Sequence, residues 1–209
     1  MHTAQSTLKL GEPLRTARGA LILIHGRGSS PDDIVSLADS LSVDGFALLA
    51  PAAEGNTWYP QRFFVPLEHN EPWLSAALAT IDALVNEAVS AGVPKEKIGL
   101  IGFSQGACLA LEYASRTGGR FGFVAGLSGA LIGPAGTARP KADFKRMPVL
   151  LGCAERDPHI PLEFVEESAT TLSATNADVT KQIYRGGAHT VFPQEITWLN
   201  EQLNRFAAS

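Results

Sequence analysis

The sequence predicts an α/β fold in which a mostly parallel central sheet is covered by helices on both faces. Three observations carry this expectation. Five short runs, at 20–24, 46–50, 98–103, 121–127 and 149–153, are continuously apolar rather than alternating, as strands buried on both sides are. Longer segments between them carry apolar residues at three- and four-residue steps, the period of amphipathic helices. No internal repeat, low-complexity tract or linker divides the 209 residues, so positions 1–209 are expected to form one domain.

The elements follow in order. Residues 7–10 suit an edge strand, and 20–24 the first buried one. Ser30-Pro31-Asp32-Asp33 then supplies an N-cap, a proline at the first helical position and two acids in the first turn, ahead of Ile34, Leu37, Ala38 and Leu41. After the strand at 46–50, Glu71-Pro72 opens a one-sided helix through Leu74, Ala77, Leu78, Ile81, Leu84, Val85 and Ala88, stopped by Gly92. The strand at 98–103 leads into a segment, 105–116, that is apolar around most of its circumference, as a helix at the centre of a domain would be. Beyond the strand at 121–127, the Gly/Pro-rich stretch 133–140 reads as a surface loop, because strand–helix alternation resumes after it. The strand at 149–153, a helix over 161–172, a more polar edge strand at 179–184 and a last helix over 192–206 complete the set.

Composition narrows the function. A chain with 45% hydrophobic residues and this length buries roughly 70% of its unfolded surface and needs no disulfide or metal to fold. Its formal charge of −4 leaves no basic field for phosphate backbones, so nucleic acid is not an expected partner. Cys108 and Cys153 lack CxxC spacing, which argues against a zinc site or disulfide framework and for a reducing compartment. The N-terminal stretch has no apolar core of signal-peptide length, and no run reaches the roughly 20 apolar residues of a membrane span. The expected location is therefore the cytoplasm, with no metal and no cofactor.

The chemistry is carried first by Gly102-Phe103-Ser104-Gln105-Gly106, a G-x-S-x-G pattern where a buried strand ends and a buried helix begins. A sharp strand-to-helix turn holds such a serine in a strained conformation. Side chains two residues before and after would collide, and glycine removes both. The turn raises the hydroxyl above the carboxyl edge of the sheet, where open parallel sheets place ligands. Ser128 also follows a buried strand, but Leu131-Ile132-Gly133-Pro134 behind it cannot supply a long helix, and a structural role is expected for it.

A serine hydroxyl needs a base, normally a histidine oriented by a carboxylate. His2 is expected in a disordered terminus, His69 in a polar, solvated loop, and His25 in shaping the loop after the first buried strand. Of the remaining pair, His159 and His189, the second is preferred, because its glycine-rich loop opens on the carboxyl side of the sheet. Asp157 follows the strand at 149–153 and lies between serine and histidine in chain order; it is preferred to Glu155 because Pro158 fixes the backbone after it, an ion pair with Arg156 being the plain alternative for either acid. An oxyanion hole needs two preorganised N–H donors, and the backbones of Gln105 and Arg27 are the candidates. The Arg27 side chain can also draw anionic substrates. A phosphate-cradling loop is the rival reading of His25-Gly26-Arg27-Gly28, but no lysine follows at P-loop spacing.

Together His25-Gly26-Arg27-Gly28, the G-F-S-Q-G elbow, Asp157-Pro158-His159-Ile160-Pro161 and Gly187-Ala188-His189 resemble the phospholipase/carboxylesterase family of α/β-hydrolases, which includes small bacterial carboxylesterases and acyl-protein thioesterases. The resemblance covers about 20–206. It implies an α/β-hydrolase fold, with Ser104 as nucleophile, Asp157 as acid and His189 as base. Arg27 departs from the apolar residue usual in the thioesterases, and residues 56–72 look closer to the bacterial esterases. Dienelactone hydrolases use cysteine as nucleophile, and a serine here argues against that activity.

Once sheet and helices are counted, 209 residues leave no room for a cap domain, so a shallow cleft bordered by loops is expected. Trp58, Tyr59, Phe63, Phe64 and Leu67 gather in one loop at the same edge as the serine; Trp58, Phe64 and Leu67 are the candidate substrate-binding residues, with plain packing as the equal alternative. The leading reading is a serine carboxylesterase acting on small or medium acyl or aryl esters, as monomer or homodimer. Thioester or lysophospholipid hydrolysis is the alternative within the same mechanism, and a non-catalytic binding module on the same fold the alternative outside it.

Overall fold

The computed structural model describes residues 2–140 and 143–207. The remaining positions of the expected 1–209 unit lie outside the described residues. Seven strands form one sheet: β1 (Thr7–Gly11), β2 (Gly19–Ile24), β3 (Phe46–Pro51), β4 (Ile98–Phe103), β5 (Phe123–Leu127), β6 (Pro148–Ala154) and β7 (Asp178–Tyr184). Their order is β1-β3-β2-β4-β5-β6-β7. Only β1 is antiparallel to its neighbour; the other pairings are parallel. This is the expected α/β-hydrolase architecture, a mostly parallel sheet between helices, with no cap among the described residues.

The pleat divides the core in two. Ile22, Ile24, Leu49, Leu100, Val124, Val149 and Leu151 face one side, packing with α2 (Trp73–Ser90), α3 (Gln105–Thr117) and α4 (Leu162–Ser173). Their strand neighbours Leu21, Leu23, Leu48, Ile101, Phe123 and Leu150 face the other, against Ile34 of α1 (Pro31–Val35) and Trp198, Leu199, Leu203 and Phe206 of α5 (Pro193–Ala207). Alternate residues of continuously apolar strands thus serve opposite layers, which is why these strands show no polar face.

Local chemistry sets the element ends. The Ser30 hydroxyl accepts from Asp33 N–H while the Asp33 carboxylate accepts from Ser30 N–H, a reciprocal cap with Pro31 at the first helical position. The α-helix is shorter than the apolar spacing predicts, passing into a 3-10 turn over Ser36–Ser40. β5 begins at Phe123 rather than 121, although Phe121 remains buried.

His2 is a correction. It is buried, accepts Glu54 N–H at Nδ1 (2.9 Å), and its Nε2–H donates to Trp58 O (2.7 Å). Its ring also lies against Trp58 and Trp73. The segment expected to be disordered is held by partners more than fifty residues away, which local polarity does not report. Burial holds the His2 imidazole below its ordinary pKa. No described helix is long and apolar enough to cross a membrane.

Candidate active site

The chain leaves β2 toward β3 on one side and β4 toward β5 on the other. The carboxyl ends of β2 and β4 therefore flank the point where the connections diverge, the usual place for a ligand crevice. Two segments meet there: the His25–Gly28 loop after β2 and the turn at Ser104 between β4 and α3.

Ser104 has φ 54° and ψ −117° and caps α3, a conformation that non-glycine residues adopt only under constraint. The flanking glycines permit it. A Cβ on Gly102 would stand 2.2 Å from Gly106 O, and one on Gly106 would stand 2.1 Å from Ile24 O. The Ser104 amide is fixed by Leu127 O of β5 at 2.9 Å.

Ser104, His189 and Asp157 form an unbroken hydrogen-bonded chain. Ser104 Oγ lies 2.8 Å from His189 Nε2, and His189 Nδ1 lies 2.7 Å from Asp157 Oδ2. A carboxylate facing Nδ1 requires that nitrogen to carry the proton, leaving Nε2 to accept from the hydroxyl. The other Asp157 oxygen accepts the backbone N–H groups of His159 (2.8 Å) and Ile160 (3.1 Å), so the turn after β6 aims the carboxylate at the imidazole. The His189 ring contacts those of Phe103 and His159, with centroids 5.0 and 4.8 Å away.

Glu155 is directed elsewhere, pairing with Arg156 at 3.6 Å and accepting from Gly186 N–H. Ser128 is buried, and its hydroxyl donates to Thr190 O, tying β5 to the His189 loop. His25 is also buried: Nε2 accepts Ala53 N–H, so Nδ1–H donates to Gly26 O. Burial lowers its pKa, and it acts as a neutral brace for the loop. His69 is exposed.

The two N–H groups considered for an oxyanion border the serine. Gln105 opens α3, so its N–H has no intrahelical acceptor. No acceptor is found for Arg27 N–H among the described residues. The loop carrying Arg27 passes close to the turn, since a Cβ on Gly26 would lie 3.4 Å from Ser104 Cβ. The N-terminal end of α3 adds its positive partial charge at the same place.

A cavity of about 530 Å³ opens beside the serine. Its wall includes Arg27, Tyr59, Gln61, Arg62, Phe63 and Ile160, with Cys108 at the first turn of α3. Burial pushes the Cys108 thiol up to about 12, so it remains a thiol rather than a competing thiolate. Trp58, Phe64 and Leu67 are not among the lining residues, which corrects their placement from sequence. Trp58 is fully buried, and its indole N–H donates to His25 O. Phe64 packs against Phe63 and Phe164, and Leu67 against the core.

Two side chains hold the aromatic loop in ways that residue type alone did not reveal. Gln105 Oε1 accepts Trp58 N–H and its Nε2 donates to Tyr59 O. Arg27 donates to the carbonyls of Tyr59, Pro60 and Gln61 at 2.7–2.9 Å. Among the described residues, no group of three or more His, Cys, Asp or Glu is arranged to hold a metal.

Comparison with known proteins shows which proteins the chain is similar to. A phospholipase/carboxylesterase structure from Dyadobacter fermentans superposes with a TM-score of 0.91, at 39% identity, covering 96% of this chain and 95% of that one. Acyl-protein thioesterase 1 of Saccharomyces cerevisiae is 24% identical over 90% of this chain and 93% of its own length. Acyl-protein thioesterase 1 of Gibberella zeae is 30% identical over 54% of this chain, and the match spans 49% of that protein. The phospholipase/carboxylesterase family matches residues 7–206, and the chain belongs to that family.

Proposed function

We propose that the protein is a serine carboxylesterase that cleaves esters of small to medium acyl or aryl groups through an acyl-enzyme. The observation that carries this is the hydrogen-bonded chain Ser104–His189–Asp157 at the wall of a cavity. Ser104 Oγ attacks the ester carbonyl carbon while its proton passes to His189 Nε2. The carbonyl oxygen becomes an oxyanion facing the N–H groups of Arg27 and Gln105. Collapse of this intermediate breaks the bond to the alcohol oxygen, which takes the proton from His189. Water then attacks the acyl-enzyme by the same route, with His189 first accepting and then returning a proton. Asp157 holds the imidazole in the required tautomer and balances the imidazolium.

The cavity's size supports small and medium acyl groups. The family match over 7–206 and the single seven-stranded sheet support one catalytic domain. The two cysteines, both free and buried, support a cytoplasmic location. A second reading, hydrolysis of acyl thioesters or lysophospholipids, is favoured by the thioesterase relatives and uses the same residues.

The test is labelling with a fluorophosphonate, mapping of the modified residue, and turnover of p-nitrophenyl esters and an acyl thioester. Ser104 is expected to carry the label, and Ser104→Ala to lose at least about 10³-fold in kcat. Retention of most turnover by that variant, or a label on Ser128, overturns the assignment. Absence of turnover and of any acyl-enzyme with an activated ester revives a non-catalytic binding module. Relative kcat/KM across acyl chain lengths and between oxygen and sulfur esters separates the two hydrolytic readings.

A further inference from the structure

The cavity wall and the protein's charge disagree in sign. The chain carries a formal charge of −4, yet the described lining of the cavity holds Arg27, Arg62, His159 and His189 and no carboxylate. Asp157 lies behind His189, with its oxygens engaged by that ring and by two backbone N–H groups. Asp33, next to the lining residue Ser29, is occupied by the hydroxyls of Ser29 and Ser30 and by Ser30 N–H.

Neither guanidinium has an acidic partner among the described residues. Arg27 is fixed in place by its bonds to the carbonyls of Tyr59, Pro60 and Gln61. These use three of a guanidinium's five N–H donors, and neutral carbonyls leave its charge uncancelled. Arg62 is exposed, and its guanidinium has Cζ 5.7 Å from the centroid of the Phe64 ring and no hydrogen-bond or ion-pair partner among the described residues. One arginine is thus a tethered charge and the other one without a polar tether on the same wall, and clefts lined by one sign of charge concentrate the opposite sign. Planar guanidinium groups favour carboxylate and phosphate oxygens through paired, charge-assisted bonds.

We infer that the site selects esters carrying a negatively charged group, a carboxylate or phosphate held by Arg62 with Arg27 beside it. This rests on the serine-esterase reading and names the substrate class it would serve. The same pair can recognise the anion on the acid or the alcohol portion of the ester, and the test separates the two.

In one arm, mono-p-nitrophenyl adipate is compared with p-nitrophenyl hexanoate, where a methyl replaces the carboxylate. In the other, 4-(hexanoyloxy)benzoate is compared with its methyl ester. Each kcat/KM is divided by the hydroxide-catalysed rate of the same ester. At low salt the anionic member of at least one pair is expected to be favoured by about tenfold or more. That advantage should shrink toward unity near ~1 M NaCl, and Arg62→Gln should lower the ratio several-fold. Equal or poorer turnover of both anionic esters, while neutral esters acylate Ser104, overturns the anion site and leaves the esterase reading standing. A preference that survives both salt and Arg62→Gln overturns its assignment to these arginines. No turnover of any ester, with no label on Ser104, overturns the esterase reading and this inference with it.

Discussion

The carboxylate of Glu195 fills the space that a side chain at Gly152 would need: a Cβ there would lie 1.8 Å from Glu195 Oε1. Glu195 stands in the first turn of α5, fully buried, and its Oε2 accepts Phe192 N–H at 2.7 Å. Oε1 has no hydrogen-bond partner. A single side chain therefore couples β6, the strand that leads to Asp157, to the far end of the loop that carries His189.

A buried carboxylate with one bare oxygen is costly to ionise. Burial pushes Glu195 up to about 7 from 4.5, against the opposing pull of Phe192 N–H. Because the folded value exceeds the unfolded one, its contribution to stability is complete below about 4.5 and is lost as pH rises through about 7. The full span is on the order of 3 kcal/mol. Thermal unfolding of wild type and Glu195→Gln from pH 5 to pH 9 should show the variant gaining on wild type as pH rises. A pH-independent gap between them would mean that Glu195 is ionised throughout.

Asp157→Asn tests the tautomer. Oδ1 accepts from His159 and Ile160 N–H, so an asparagine would keep its carbonyl there and turn its NH₂ toward His189 Nδ1. Two donors cannot face each other. The imidazole would shift its proton to Nε2 and could no longer accept from Ser104. The expected loss is about 10⁴-fold in kcat with little change in melting temperature, by analogy with the same substitution in serine proteases. A loss below about tenfold would exclude this orienting role.

Much of the architecture was legible in the sequence because strands covered on both faces must be apolar throughout, and the loops after them must open at one edge. Ser104, Asp157 and His189 follow β4, β6 and β7, so parallel topology alone groups them; their distances are set by turns such as the one that bonds Asp157 Oδ1. The loop at 56–72 was less legible. Its aromatic content marked it, but Trp58 and Tyr59 are both buried, and of the two only Tyr59 lines the cavity. Which of them borders the cavity depends on remote anchors, Gln105 and Arg27, and no local pattern encodes them. His2 was misjudged for the same reason.

The elbow glycines give a test of backbone clearance. In Gly106→Ala the new methyl meets Ile24 O and His25 O at 2.1 and 2.5 Å, and neither strand backbone nor helix can yield cheaply. The expected cost is about 3 kcal/mol or more, which for a chain of this length is a drop of roughly 6–12 °C in melting temperature. Gly28→Ala is the control for the loop: its Cβ meets nothing within 4 Å, though φ is +75°, so about 1 kcal/mol is expected. Equal melting temperatures for the two variants would refute the steric account of the elbow.

Gln105 separates the support of the site from its chemistry. Its side chain bonds Trp58 N–H at 2.9 Å and Tyr59 O at 2.8 Å, while its own N–H is the proposed oxyanion donor. Gln105→Ala keeps that N–H but strands two buried backbone groups, at about 1–3 kcal/mol each. The loop at 59–61, which forms one wall of the cavity, would lose one anchor and keep Arg27. For esters whose acyl group fills the cavity, KM should rise several-fold while kcat falls less, together with a lower melting temperature. Gln105→Glu sharpens the test, since a carboxylate can still accept from Trp58 N–H but, when ionised, repels Tyr59 O. Its melting temperature should therefore recover on acidification relative to wild type. A fall in kcat with unchanged KM in both variants would instead assign the side chain to the reaction itself.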